Sequence, residues 1–172
     1  MQSALNKQIQ EEMYSAYLYY AMAAWVEAQN LIGMAMWLKV QAMEEITHAH
    51  RFFAFIYERQ GQVELFELAK PPKEWKSPLD AFEAAYKHEQ HISGCINDLM
   101  KLSREIGDYT TETGVLHWFV IEQIEEEQQT DAIVQKLKMI GDDKNGLVML
   151  DKELAMRVFT WPIDLEPSTG AA

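Results

Sequence analysis

The sequence predicts an all-α protein: a four-helix bundle with one long crossover and a short fifth helix at the C-terminal end. Three observations carry this. Breakers are scarce, with only 8 Gly and 5 Pro in 172 residues, and long breaker-poor stretches favour helix over strand. Apolar residues recur at spacings of 3 and 4 through four long segments, the period of an amphipathic helix. The connections between those segments run short, long, short, as in a bundle with one crossover.

The first segment covers about residues 3–29, with a stripe of Leu5, Ile9, Ala16, Tyr19, Ala23 and Val26. The second, about 32–59, carries Met34, Trp37, Leu38, Phe52, Phe55 and Ile56. So short a gap makes the two antiparallel neighbours. Residues 61–77 run into KPPKEWKSP (70–78), where Pro71 and Pro72 exclude regular helix. A connection this long is unusual in a compact domain, and a chain returning along the whole length of a bundle accounts for it. The third helix starts near Pro78 with Ser77 as its N-cap. It carries Phe82, Ala85, Tyr86, Ile92, Ile96, Leu99 and Ser103, and Gly107 ends it. The fourth, about 110–140, carries Val115, Trp118, Phe119, Ile133 and Leu137, and Gly141 ends it. At 1.5 Å per residue each long helix measures about 40 Å. The fifth, about 146–156, is rich in apolar residues: Leu147, Val148, Met149, Leu150, Leu154 and Met156. It is too short to be stable alone, so it is expected to pack on the bundle or on another subunit. Residues 1–159 therefore read as one domain. Residues 160–172 have loop composition and are expected to be partly disordered.

Composition narrows the function. A formal net charge of −12 argues against a nucleic-acid partner, because phosphate contacts need clustered Lys and Arg. No apolar run approaches the length of a membrane span, and MQSALNKQIQEEM lacks the apolar core of a secretory signal. Cys95 is the only cysteine, which leaves no internal disulfide and no Cys-x-x-Cys motif. These features predict a soluble, cytoplasmic protein with no membrane partner.

Acidic residues interrupt the apolar stripes. Glu12 sits between Ile9 and Ala16; Glu45 and His48 lie three apart on one face of the second helix; Glu89 sits between Ala85 and Ile92. In the fourth helix Glu122 and Glu126 fall between Phe119 and Ile133, with Gln123 and Glu125 alongside. Measured along the helices, Glu89 lies 17 residues before Ile106 and Glu126 lies 16 after Thr110. Glu12 lies 17 before Gln29 and Glu45 lies 13 after Ile32. Antiparallel pairing brings all four interruptions to within about 6 Å of one level. Singly, each has an ordinary explanation. Glu-x-x-His arises by chance, Glu44 fits a half-exposed stripe edge, Glu125 to Glu127 fit a solvated charge run, and Tyr19 fits a satisfied core residue. His50, His88, His91 and His117 fit surface or interface positions better than metal sites. Four acidic interruptions at one level are different. Unpaired carboxylates would be forced to protonate in a dry layer, and no Lys or Arg lies on the stripes there. A bound multivalent cation is the simplest neutraliser. Oxygen donors with one imidazole suit magnesium, calcium, manganese or iron better than structural zinc. The number of carboxylates fits two bridged ions better than one.

These residues match a described pattern, in which di-metal bundles draw one Glu from each of two helices and Glu-x-x-His from others. Along nearly its whole length the sequence resembles the non-haem ferritins of bacteria and archaea, through EEMYSAYLY, MEEITHAHRF, AAYKHEQHI, HWFVIEQIEEE and LDKEL. The resemblance implies that Glu12, Glu45 and His48 hold one iron. Glu45 would bridge to a second iron held by Glu89 and Glu126, with Gln123 close by. Glu44, Glu122 and Glu125, sharing Glu126, look like the ferritin third iron site, and Tyr19 matches the tyrosine beside the diiron centre, a candidate electron donor. The implied function is ferroxidation by dioxygen or peroxide and storage of ferric mineral in a homo-oligomeric shell of 24 chains. The alternative is a non-storage diiron oxidase or peroxidase of the same superfamily. Two departures from sister families are informative. The fourth helix lacks a second Glu-x-x-His, and Ile46 stands where bacterioferritins carry a haem-ligating Met, so no haem is expected.

Overall fold

The computed structural model describes residues 1–162. Four long helical segments form the bundle: α1 (Gln2–Ala28), α2 (Ile32–Glu58), α3 (Pro78–Glu105) and a fourth built from three pieces. The fourth opens with one α-turn (Tyr109–Thr111), continues as a π-helical stretch (Glu112–Leu116) and runs on as α4 (His117–Ile140). A short α5 (Lys144–Leu154) follows. Helix starts and stops obey local chemistry. Ser77 Oγ accepts a hydrogen bond from the Asp80 amide at 3.1 Å, with Pro78 in the first turn. Gly107 (φ +72°) and Gly141 (φ +55°) follow the long helices in the left-handed region.

Side-chain contacts give the directions of the helices. Glu27 meets Lys39 and Tyr20 meets Met43 between α1 and α2. Glu83 meets Lys138 and Ser93 meets Glu127 between α3 and α4. Ser15 meets His88 and Glu11 meets His91 between α1 and α3, while Gln41 meets Glu126 and His48 meets Glu122 between α2 and α4. In each pair residue numbers rise on one helix as they fall on the other, so all four neighbouring pairs are antiparallel. It follows that α2 and α3 run parallel, and the connection between them must travel the length of the bundle. It does so against α1. Asn6 Nδ2 donates to the Gln62 carbonyl at 3.0 Å, Asn6 Oδ1 accepts from the Glu64 amide at 3.1 Å, and Gln10 Nε2 donates to the Glu67 carbonyl. Trp75 then stacks edge-on against Trp25, centroids 5.9 Å apart.

The fifth helix packs on the bundle through Leu150 and Leu154, both buried. Asp151 Oδ1 accepts from the Met34 amide at 2.9 Å and so caps the start of α2, whose own N-cap residue, Leu31, offers no side-chain acceptor. The contact is close enough that a Cβ on Gly33 would sit 1.7 Å from the Asp151 carbonyl oxygen. Val148 and Met149 stay exposed. The apolar interior is divided in two. One cluster holds Tyr19, Met22, Val26, Met34, Leu38, Phe82 and Leu137. The other holds Leu5, Ile9, Phe52, Ile56, Ile92, Ile96 and Phe119. A polar layer separates them. Of the expected C-terminal tail, residues 163–172 lie outside the described residues.

Candidate metal centre

That layer is built from the residues that interrupt the stripes. Glu12, Glu45, His48, Glu89, Gln123 and Glu126 are all buried, with relative exposures between 0 and 5 %. Each lies one or two turns from apolar residues on the same helix face, so packing of those residues carries the polar groups inward. Donor atoms of Glu12, Glu45 and His48 lie within 4.8 Å of one another, and so do those of His48, Glu122 and Glu126. His48 belongs to both sets: Nδ1 lies 3.5 Å from Glu45 Oε2 and Nε2 lies 3.8 Å from Glu122 Oε1. The His48 ring is held edge-on by Trp118 and Phe119 at centroid distances of 5.5 and 5.7 Å.

The carboxylates receive fewer donors than they could accept. Gln8 Nε2 donates to Glu12 Oε1 at 2.9 Å, and Gln41 Nε2 donates to Glu45 Oε1 at 3.2 Å and also to Glu126. The Tyr19 hydroxyl donates to Glu89 Oε1, and Gln123 Nε2 lies 3.3 Å from Glu89 Oε2. Among the described residues Glu12 Oε2 and Glu45 Oε2 are buried without a hydrogen-bond donor, His48 Nδ1 standing 3.5 Å from the latter. A buried carboxylate oxygen in that state is costly unless protonated or bound to a cation.

The electrostatics follow. Burial, with the charge of Glu45 added, pushes the carboxyls of Glu12 and Glu89 up to about 8. Burial and Glu89 push Glu126 well above the usual carboxylate range. Burial and the facing Glu89 raise the Tyr19 phenol as well. Burial alone would lower His48, but its close approach to the Glu122 and Glu45 carboxylates, with the charge of Glu12 added, raises it well above its ordinary value. Burial alone would raise Glu45, and its contacts with His48 override that and lower it. The layer therefore holds negative charge only with difficulty, the condition in which a multivalent cation displaces protons.

The remaining sequence candidates sit at the margin. Glu44 and Glu122 are half-buried, whereas Glu125 is exposed and its Oε1 accepts from Gln129 at 2.8 Å. Glu125 is not drawn into either group of converging donor atoms. The reading of the stripes put no cation near this layer, and on the stripes there is none. The segment after α5 nevertheless supplies Arg157. Its Nη2 pairs with Glu44 Oε2, its Nη1 donates to Gln41 Oε1 at 2.7 Å, and its guanidinium lies 4.4 Å from the Trp37 ring centroid. Gln8 and Gln41 were also missed, although each precedes its glutamate by four residues, a spacing that places hydrogen-bonding partners together on a helix. Arg157 left no such local signal, being more than a hundred residues from its partners.

A family model described as a ferritin-like domain matches residues 2–140. The chain belongs to the ferritin-like family. It is 41% identical over 148 residues to a bacterial non-heme ferritin of Campylobacter jejuni, covering 86% of this chain and 88% of that one. It is 35% identical over 157 residues to a bacterial non-heme ferritin of Bacteroides fragilis, covering 91% and 97%. Among solved structures, the open-pore ferritin of the hyperthermophilic archaeon Archaeoglobus fulgidus superposes with a TM-score of 0.90 at 45% identity, covering 92% of this chain and 97% of that one. The ferritin-like fold thus agrees with the bundle expected from the stripes, including the crossover and the fifth helix.

Proposed function

We propose that the protein is a ferroxidase and iron store, taking Fe(II) as substrate at the buried layer and keeping the ferric product as mineral inside a hollow homo-oligomer. The observation that carries this reading is the convergence of Glu12, Glu45, His48, Glu89 and Glu126 in one buried layer, with two carboxylate oxygens lacking donors among the described residues. Two Fe(II) ions per chain suit that charge. Glu12, Glu45 and His48 would hold one, and Glu45, Glu89 and Glu126 the other, with Gln123 close by. Each Fe(II) gives up one electron. Dioxygen takes up two electrons and two protons to leave as hydrogen peroxide, or hydrogen peroxide takes up two of each to leave as two waters. Hard oxygen ligands favour the ferric product, and holding both ions beside the oxidant supplies the proximity the reaction needs. The chain's other groups position these ligands. Gln8, Gln41 and Gln123 orient carboxylates, Trp118 and Phe119 fix the imidazole, and Tyr19 stands as a candidate electron donor to the oxidant through its contact with Glu89.

A shell of 24 cytoplasmic chains completes the proposal. Exposed apolar residues support an assembled state: Met149 on the fifth helix, Met139 before it in the chain, Met156 and Val158 after it, and Leu65 and Phe66 on the crossover. No described helix is long and apolar enough to cross a membrane. Glu44, Glu122 and Glu125 with Glu126 form the proposed third iron site, and Ile46 leaves no haem-ligating side chain at its position.

The test is anaerobic loading of the purified protein with Fe(II), exposure to air, and size-exclusion chromatography with iron and protein detected together. Storage predicts hundreds of irons co-eluting with a particle of about 24 chains. About two irons per chain on a small oligomer, with no further accumulation, would reject storage and identify a diiron oxidase on the same bundle.

A further inference from the structure

A second cluster of metal-ligand side chains lies outside the buried layer, where α1 faces α3. Glu11 Oε2 lies 3.2 Å from His91 Nε2, and the same nitrogen lies 3.6 Å from Cys95 Sγ. All three donor atoms fall within 4.8 Å of one another. His91 and Cys95 are four apart on α3, so they share one helix face, and Glu11 reaches them from α1. Exposure is graded: the Glu11 and His91 side chains are 21% and 56% accessible, and Cys95 is half-buried. The cluster therefore has a built floor and an open side.

We propose that Glu11, His91 and Cys95 form an outer binding site for one divalent cation of intermediate softness, of the zinc class, distinct from the oxygen-rich layer within. The geometry fits. In a tetrahedral site with bonds of about 2.0–2.1 Å to N and O and about 2.3 Å to S, the N···O edge is about 3.4 Å and the N···S edge about 3.6 Å. The observed separations are 3.2 and 3.6 Å without any rotamer change. A water from the open side would complete four-coordination. Donor chemistry separates the two sites, because a thiolate and an imidazole select zinc-like ions where carboxylates select harder ones. Burial, with Glu11, Glu12 and Asp98 nearby, pushes the free Cys95 thiol up to about 11. The same negative surroundings favour an incoming cation, which would displace the thiol proton to solvent as the sulfur–metal bond forms. Lys7 Nζ lies 3.3 Å from the other Glu11 oxygen, Oε1, and leaves Oε2 free to ligate. A cation here would join α1 to α3 directly beside Glu12 and Glu89, which share those helices. The sequence reading gave His91 to a surface or interface position rather than to a metal, and the proposal departs from it because of Glu11 and Cys95 beside that ring.

Cobalt(II) is the probe. Cys95 is the only cysteine, so thiolate-to-cobalt charge-transfer absorption reports this site alone, even while the buried carboxylates also bind cobalt. Anaerobic titration of the intact assembly should develop that absorption, saturating at one cobalt per chain, and zinc should bleach it. Cys95→Ser should abolish it while leaving iron oxidation unchanged. His91→Ala and Glu11→Gln should each weaken apparent affinity at least about tenfold. Absence of the absorption at saturating cobalt would overturn the site. So would absorption that persists at unchanged affinity in both His91→Ala and Glu11→Gln, which would mean a thiol binding cobalt by itself. Circular dichroism of each variant separates loss of a ligand from loss of fold.

Discussion

At the scale of single residues, Glu45 is the group on which the layer turns. It contacts His48, accepts from Gln41, and its charge raises both Glu12 and Glu89. Glu45→Ala should slow Fe(II) oxidation under air at least about tenfold to a hundredfold, since loss of a direct ligand costs no less than loss of a supporting one. An unchanged rate in a stopped-flow assay would leave the layer a structural feature without this activity. Arg157 invites a second substitution. It holds Glu44 as a partner and the Gln41 side-chain oxygen Oε1 as an acceptor, so it competes with any cation for Glu44. Arg157→Ala should raise the affinity of zinc at the Glu44 end of the site, read by calorimetric titration of a Cys95→Ser background. The same change should cost the metal-free chain about 1–3 kcal/mol, because Gln41 Oε1 loses its donor in a buried place. Equal zinc titrations with and without Arg157 would show that it does not guard Glu44.

At the scale of elements, the join between α2 and α5 is the most constrained contact. Gly33 touches the Asp151 carbonyl while Asp151 Oδ1 caps the Met34 amide. Gly33→Ala places a methyl where backbone already sits, so α5 must move away and the cap is lost with it. The expected penalty is about 1–3 kcal/mol of overpacking plus about 1 kcal/mol for the cap. It is measurable as a lowered midpoint in denaturant with α5 newly susceptible to protease. A midpoint equal to wild type would mean that α5 is not seated on α2 in solution. The elements also show which local signals were readable. Ser77 and Pro78 announced the start of α3, and Gly107 and Gly141 marked two ends, because caps and breakers act within a few residues. The π-helical stretch Glu112–Leu116 announced nothing. Within it Gly114 packs against the Phe55 ring of α2, where a Cβ would lie 3.0 Å from Cε2, a contact that no short window of sequence displays.

At the scale of the whole molecule, the buried layer sets how stability depends on pH. Glu12 and Glu89 hold their protons up to about 8 when folded, against about 4.3 in an unfolded chain. A raised carboxyl contributes stability that is fully present below the unfolded value and is lost as pH rises through the folded one. His48, also raised, adds the same sign above its ordinary value. Glu45, lowered, has the opposite sign, and its share is lost only under acid. The iron-free chain should therefore melt at progressively lower temperature as pH rises from about 5 to 8. The double variant Glu12→Gln with Glu89→Gln should flatten that slope. Fe(II) under argon, or zinc in its place, should raise the melting temperature most at the upper end of the range, where protons no longer neutralise the layer. Melting curves of chelator-treated protein that stay level across this range would contradict the electrostatic account.

What the sequence by itself determined is the bundle and the acidic residues that break its apolar stripes. Helical periodicity of Leu5, Ile9 and Val26, of Phe82, Ile92 and Leu99, and of their counterparts is a local property. A common level for Glu12, Glu45, Glu89 and Glu126, to within about 6 Å, follows from counting along antiparallel helices at a fixed rise. What only the tertiary structure decided are the contacts between groups far apart in the chain. Among these are the Arg157 clasp on Glu44, the Asp151 cap on α2, the crossover laid against Asn6 and Gln10, and the meeting of Glu11 with His91 and Cys95. The physical reason is range. Periodicity and capping are settled within a turn or two of helix, whereas these contacts depend on how whole helices are placed against one another, which no short window of residues specifies.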